Sequence, residues 1–75
     1  MDRYKNLDGD SGVVGYEIAD TSITVGFRDG SIYLYTYQSA GAENIERMKK
    51  LAIAGEGLNS FIIRVVRKGY ASKLR

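Results

Sequence analysis

The chain has 75 residues, with 11 lysines and arginines against 9 aspartates and glutamates and a formal net charge of +2. This length allows one domain with a thin core, which contributes about 3–5 kcal/mol of net stability. The sequence has no cysteine and no histidine, so a disulfide framework, a zinc knuckle and the usual general base at neutral pH are excluded. We therefore expect a protein that is not an enzyme and that has no cofactor and no bound metal.

The first twelve residues are polar and show no hydrophobic periodicity, which is typical of a flexible leader. They lack the apolar core of a signal peptide, and no stretch of the chain approaches the ~18 apolar residues of a membrane span. A cytoplasmic protein with no membrane partner is expected. Asp8 and Asp10 resemble the start of a calcium loop, but the downstream ligands of such a loop are missing, so neither receives a role.

Three strands are predicted next, over residues 13–18, 21–28 and 32–37. The first is rich in β-branched and aromatic residues, and the second alternates with Ile23, Val25 and Phe27 on one face. The pair Asp29-Gly30 is a strong hairpin signal between the second and third strands. The strands therefore form an antiparallel meander.

The third strand carries tyrosines at alternate positions, and the length of the preceding turn decides which way they face. A two-residue turn at Asp29-Gly30 leaves Tyr33, Tyr35 and Tyr37 outside as a stacking surface. A three-residue turn that also includes Arg28 pairs Val25 with Tyr33 and Ile23 with Tyr35, so that the tyrosines face the core. Hydrophobicity alone favours the first register. We favour core-facing tyrosines, because the family that the sequence resembles favours the second register.

After Gln38 the hydrophobic period changes to that of a helix. Ser39 or Gly41 is the predicted N-cap, and Gly55 ends the helix at a position that favours a left-handed residue. The apolar stripe of this helix consists of Ile45, Met48, Leu51 and Ala52.

Residues 58–68 are predicted to form a second helix that ends at Gly69, with a fourth strand as the alternative. Leu58, Phe61, Ile62 and Val65 have helical spacing, whereas the β-branched content favours a strand. Asn59 is interpreted as a helix cap, with a ligand-binding amide as the other interpretation. The predicted fold is α+β: a three-stranded antiparallel meander followed by two helices on one sheet face, with a domain at 13–70 and a basic tail at 71–75.

From Leu58 onward every charged residue is positive. A basic end on a small domain suits an anionic partner, although an ordinary solvated helix face has the same composition. Arg64, Arg67 and Lys68 fall together on one face of the predicted second helix, apart from its apolar face, and Lys73 and Arg75 follow in the tail.

Several short motifs occur in a characteristic order: Gly15-Tyr16, Ile23-x-Val25-x-Phe27, Asp29-Gly30-x-x-Tyr33-x-Tyr35 and Gly55-x-x-Leu58-Asn59-x-x-Ile62. Their order and spacing resemble the KTSC domain, a short bacterial module found alone or at the carboxyl end of some lysyl-tRNA synthetases. The resemblance covers roughly residues 11–70. The chain departs from the family in having Gln38-Ser39 where a Val-Pro pair is common, and in lacking a proline-containing basic ending. The synthetase context implies RNA binding.

The leading hypothesis is therefore a small non-enzymatic module that binds RNA or another nucleic acid by aromatic stacking and phosphate contacts. A protein-interaction or homodimerisation module is the alternative, since the core is thin and the second helix is aliphatic. The candidate nucleic-acid-binding residues are Tyr33, Tyr35, Arg64, Arg67 and Lys68.

Overall fold

The computed structural model describes residues 1–7, 9 and 11–75, which form an α+β fold. Asp8 and Asp10, which resemble the start of a calcium loop in the sequence, lie outside the described residues. Within the described residues, five strands form one antiparallel sheet, and neighbours in the sheet are also neighbours along the chain. The strands are β1 (Asp2–Arg3), β2 (Val13–Ala19), β3 (Ser22–Phe27), β4 (Ile32–Thr36) and β5 (Ser72–Lys73).

The predicted three-stranded meander corresponds to β2, β3 and β4 at the centre of this sheet. Two-residue strands from the ends of the chain are added at both edges. Asp2 and Arg3 pair with Tyr16 and Gly15 of β2, while Ser72 and Lys73 pair with β4. The interpretations of residues 1–12 as a flexible leader and of 71–75 as a tail are therefore wrong for these paired segments. The edge strands of a meander have backbone N–H and C=O groups that need partners. Here β1 and β5 supply partners by pairing with β2 and β4.

All helices in the described residues follow β4, and residues at the ends of the long helix fix where it begins and ends. Gly41 is the N-cap of the long helix, and Gly55 ends it with a φ of 79°, as predicted. Residues 58–66 are helical, so the strand alternative for this segment is wrong. The helices are α1 (Tyr37–Ala40), α2 (Ala42–Ala54) and α3 (Leu58–Phe61), and α3 continues into a π-helical segment (Ile62–Val66).

The core forms where the helices meet one face of the sheet. Ile23, Val25 and Tyr35 contribute from β3 and β4, and they share a face because Ile23 pairs directly with Tyr35. The helices contribute the predicted stripe residues of α2 and the apolar face of α3. The buried side chains of the described residues are Tyr4, Val13, Ile23, Val25, Tyr35, Ile45, Met48, Ala52, Leu58, Ile62 and Val66.

Residues 1–7 form an N-terminal arm that crosses the beginning of α3. Tyr4 is only 4% exposed, and the backbone N–H of Leu58 donates to its hydroxyl oxygen at 3.2 Å. The N–H of Leu7 donates to the carbonyl of Gly55 at 2.8 Å. The arm passes so close to Gly55 that a Cβ added there would lie 2.5 Å from the Cβ of Lys5.

The interpretation of Asn59 as a helix cap is wrong. The N-cap of α3 is Gly57, which has no side chain to accept a hydrogen bond, and Asn59 lies inside the first turn. Tyr4 supplies the acceptor that a capping side chain would otherwise provide for a free N–H at the start of a helix. In the described residues, no helix is both long enough and apolar enough to cross a membrane.

Candidate functional site

A groove of about 360 Å³ opens where the β3–β4 turn, the inner sheet face and the segment after the π-helix meet. We call it the aromatic groove. It combines four aromatic side chains with two cationic ones, and most of the residues singled out from the sequence lie in it. Its lining residues are Phe27, Asp29, Ser31, Tyr33, Tyr35, Arg67, Lys68 and Tyr70.

The turn length directs the tyrosines into this groove. The N–H of Gly30 donates to the carbonyl of Phe27 at 3.0 Å, and the N–H of Phe27 donates to the carbonyl of Ser31 at 2.8 Å. These bonds enclose a three-residue turn, and Gly30 takes the positive φ of 92° that the bulge in such a turn requires. Val25 therefore pairs with Tyr33. The three-residue register is confirmed, and the two-residue register favoured by hydrophobicity alone is wrong.

The tyrosines in the groove are not equivalent. Tyr35 is 2% exposed and forms the floor, and burial raises its pKa to about 12, helped by the neighbouring Tyr33 and Tyr70. Tyr33 and Tyr70 are half-buried. Their ring centroids are 4.7 Å apart in an edge-to-face arrangement, which is typical of a stable aromatic pair. Tyr33 and Tyr70 are therefore the tyrosines whose surfaces a ligand can contact.

Arg67 and Lys68 are held over the groove by a strained turn. The N–H of Gly69 donates to the carbonyl of Val66 at 2.9 Å and closes a four-residue turn. Arg67 occupies its first central position with φ 52° and ψ −119°, the geometry of a type II′ turn in which glycine is the usual residue. The helix therefore ends at Val66, before the predicted boundary at residue 68 and Gly69. Both cations are exposed.

The charges around the groove are mostly positive. Lys73 of β5 pairs with Tyr33, and its Nζ lies 5.8 Å from the centroid of that ring, within cation–π distance. Asp29 is the acidic group in the lining. The Ser31 hydroxyl and N–H both donate to its carboxylate, at 2.6 Å and 2.9 Å, and these bonds lower the pKa of Asp29. The carboxylate of Asp29 is therefore already hydrogen-bonded at the rim of the groove. The positive charges of Arg67 and Lys68 favour an anionic ligand.

Arg64 does not belong to this groove. The structure places it with Arg47 in a separate groove between α2 and α3, so the grouping of Arg64 with Arg67 and Lys68 is wrong. The predicted helix put these three cations on one face. The π-helical segment and the turn at Arg67 change the direction of the chain between them.

Sequence reasoning missed Phe27 and Tyr70 as members of the groove. The alternation of the second strand places Phe27 on its apolar face, and Tyr70 is only the last residue of the predicted domain. The sequence signal for Tyr70 is the run Arg67-Lys68-Gly69-Tyr70, in which two cations precede an aromatic residue. In the structure the Tyr70 ring packs against Tyr33, and its centroid lies 6.3 Å from that of Tyr35. Only the pairing of β5 with β4 shows that this segment returns to the tyrosines.

The described residues contain no cluster of three or more acidic side chains that would hold a metal ion. Comparison of the chain with protein-family models, with curated proteins and with solved structures found no match. The resemblance to the KTSC domain therefore stays a prediction.

Proposed function

We propose that the protein is a small, non-enzymatic binding module that takes single-stranded RNA in the aromatic groove. One unstacked base would pack against Tyr33 and Tyr70, and Arg67 and Lys68 would neutralise the adjacent phosphates. The observation that supports this most is that aromatic rings share one groove with two cations that form no ion pair with the described acidic side chains. Stacking and phosphate contacts are the two components of single-strand binding.

The size of the groove limits what it would hold. About 360 Å³ lies at the low end of the roughly 300–1,000 Å³ that small-molecule sites occupy. This volume suits one nucleotide rather than a duplex, whose bases are stacked and paired. Membership of the KTSC family, a bacterial origin and a cytoplasmic location are consistent with this proposal and are proposed with it.

The test is a titration of the protein against a labelled single-stranded oligonucleotide, as RNA and as DNA, at several salt concentrations. Each neutralised phosphate contributes about −0.7 to the slope of log affinity against log salt for single strands. The double variant Arg67→Gln/Lys68→Gln is expected to weaken binding and to reduce that slope by about 1.4. Equal affinity for RNA and DNA would extend the ligand class to single strands in general.

Lys50→Gln is the matched control, because Lys50 is exposed on α2 and lines neither groove. It should leave the slope unchanged. If neither oligonucleotide binds, or if the control lowers the slope as much as the double variant does, the proposal is wrong.

Homodimerisation is the second candidate function, and exposed aliphatic side chains on the π-helical segment favour it. Ile63 is 62% exposed and Val65 is 51% exposed. The molecular mass in solution at several protein concentrations separates the two proposals. A tight dimer that protects Ile63 and Val65 would favour this alternative, and a monomer at all concentrations would exclude it.

A further inference from the structure

A second groove, the helix groove, lies between α2 and the helical segment that begins at α3. Its volume is about 350 Å³. It shares no lining residue with the aromatic groove, so the two sites are physically separate. Its lining residues are Arg47, Leu51, Gly57, Ser60, Phe61, Arg64 and Val65.

The spacing of these residues explains why they share a surface. Arg47 and Leu51 are one helical turn apart on α2, so their side chains project from the same face. Phe61 and Arg64, three residues apart, occupy one face of the facing helical segment. The two faces meet along an apolar floor with an arginine on each side.

The arginines are available to a ligand. Both are exposed, and none of the described acidic side chains forms an ion pair with either of them. Arg47 follows Glu43 by one turn, yet no salt bridge joins the two. Two guanidinium groups that form no ion pair in the described part of the chain and lie over an apolar floor are complementary to a ligand that is both acidic and apolar.

The floor favours a peptide over a nucleic acid. Leu51 and Val65 are aliphatic, and Phe61 is half-buried. This surface accepts a branched aliphatic side chain, whereas base binding favours paired, exposed rings. Guanidinium groups also match the planar, bidentate geometry of carboxylates.

We propose that the helix groove binds an acidic peptide segment of a partner protein. A leucine-like side chain inserts over Leu51, Phe61 and Val65, and flanking carboxylates pair with Arg47 and Arg64. The protein would then connect an acidic protein segment at the helix groove with an RNA strand at the aromatic groove.

The test uses the isotope-labelled full chain and the hexapeptide Asp-Glu-Leu-Leu-Asp-Glu, followed through backbone amide chemical shifts. This measurement detects weak binding and locates it. We expect shifts at the amides of Gly57, Ser60, Arg64 and Val65, and a dissociation constant that rises with salt because the contacts are ionic.

The variants Arg47→Gln and Arg64→Gln should each weaken peptide binding about twofold to fivefold, the upper part of the range for an exposed ion pair. Lys50→Gln removes a charge from the same helix outside the groove and should change the affinity by less than about twofold. The neutral peptide Asn-Gln-Leu-Leu-Asn-Gln should bind weakly or not at all.

The inference would be overturned by the absence of shifts at millimolar peptide, by equal binding of the neutral peptide, or by shifts confined to the aromatic groove. Concentration-dependent shifts at these same amides without peptide would also contradict it, since a second copy of this chain would then occupy the groove. None of these results depends on RNA binding, so failure here is distinguishable from failure of the proposed function.

Discussion

At the scale of single residues, Arg67 shows where local strain and the candidate site coincide. Its φ of 52° lies in a region that costs a non-glycine residue on the order of 1–3 kcal/mol. The same residue places a cation at the aromatic groove. Arginine at a glycine position is consistent with a side chain that is needed for binding rather than for folding.

Arg67→Gly is expected to raise the free energy of unfolding by about 1 kcal/mol, because it removes this backbone strain. It should also weaken RNA binding through the loss of one charge. Urea unfolding and the oligonucleotide titration measure the two effects. The matched control is Lys68→Gly, which removes the neighbouring charge at a residue that does not have a positive φ. This control should lower stability by about 0.5 kcal/mol, and equal destabilisation by both glycines would contradict the strain argument.

Tyr35 provides a prediction at high pH. Its pKa is raised from 10.0 to about 12, chiefly by burial, so the folded state holds the phenolic proton more tightly than the unfolded state does. Its contribution to stability is therefore complete below pH 10 and is lost as the pH rises from 10 to 12. The total loss is on the order of 2–3 kcal/mol.

Urea midpoints measured on both sides of pH 10 test this, with Tyr35→Phe as the comparison. The hydrogen bond that Tyr37 donates to Glu46 also raises the pKa of Tyr37, which adds a decline of the same sign in both proteins. The difference between wild type and Tyr35→Phe isolates Tyr35. Identical pH dependence in the two proteins would contradict the assigned burial.

At the scale of elements, the N-terminal arm holds the start of α3. Tyr4 joins the core, and its hydroxyl accepts from the Leu58 N–H, which lies 54 residues away along the chain. No property of a polar, aperiodic segment indicates such a contact. The arm was therefore beyond sequence prediction, as was β5, since edge strands of two residues carry no alternation.

Tyr4→Phe should lower the free energy of unfolding by about 1–3 kcal/mol, because the buried N–H of Leu58 loses its acceptor. Urea denaturation of the purified variant measures this. Tyr16→Phe is the control, since Tyr16 is half-buried and its hydroxyl makes no hydrogen bond among the described residues. A loss no larger than that of the control would show that the arm does not support α3.

The elements that the sequence predicted correctly are those with local causes. The periodic stripe of α2 and the left-handed Gly55 lie within one segment, and both are observed. The hairpin register needed one further fact, the position of Gly30 in a three-residue turn. Hydrophobicity favours exposure of the tyrosines, but it does not encode turn length.

At the scale of the whole molecule, the candidate site was predictable only in part. Tyr33, Tyr35, Arg67 and Lys68 lie together in the aromatic groove. Arg64 lies in the helix groove, because the π-helical segment and the turn at Arg67 separate it from the other cations. Tyr70 enters the aromatic groove through the return of β5 to the sheet. The pairing of β5 with β4 and the π-helical segment with its turn therefore determine which residues share a groove. Composition and sequence spacing do not reveal either feature.

The most direct test of the aromatic groove is amide chemical-shift mapping of the isotope-labelled protein with a short single-stranded RNA. The proposed function predicts shifts concentrated at Tyr33, Arg67, Lys68 and Tyr70, reduced at high salt and in Arg67→Gln/Lys68→Gln. Shifts confined to the helix groove, or none at millimolar RNA in low salt, would contradict it.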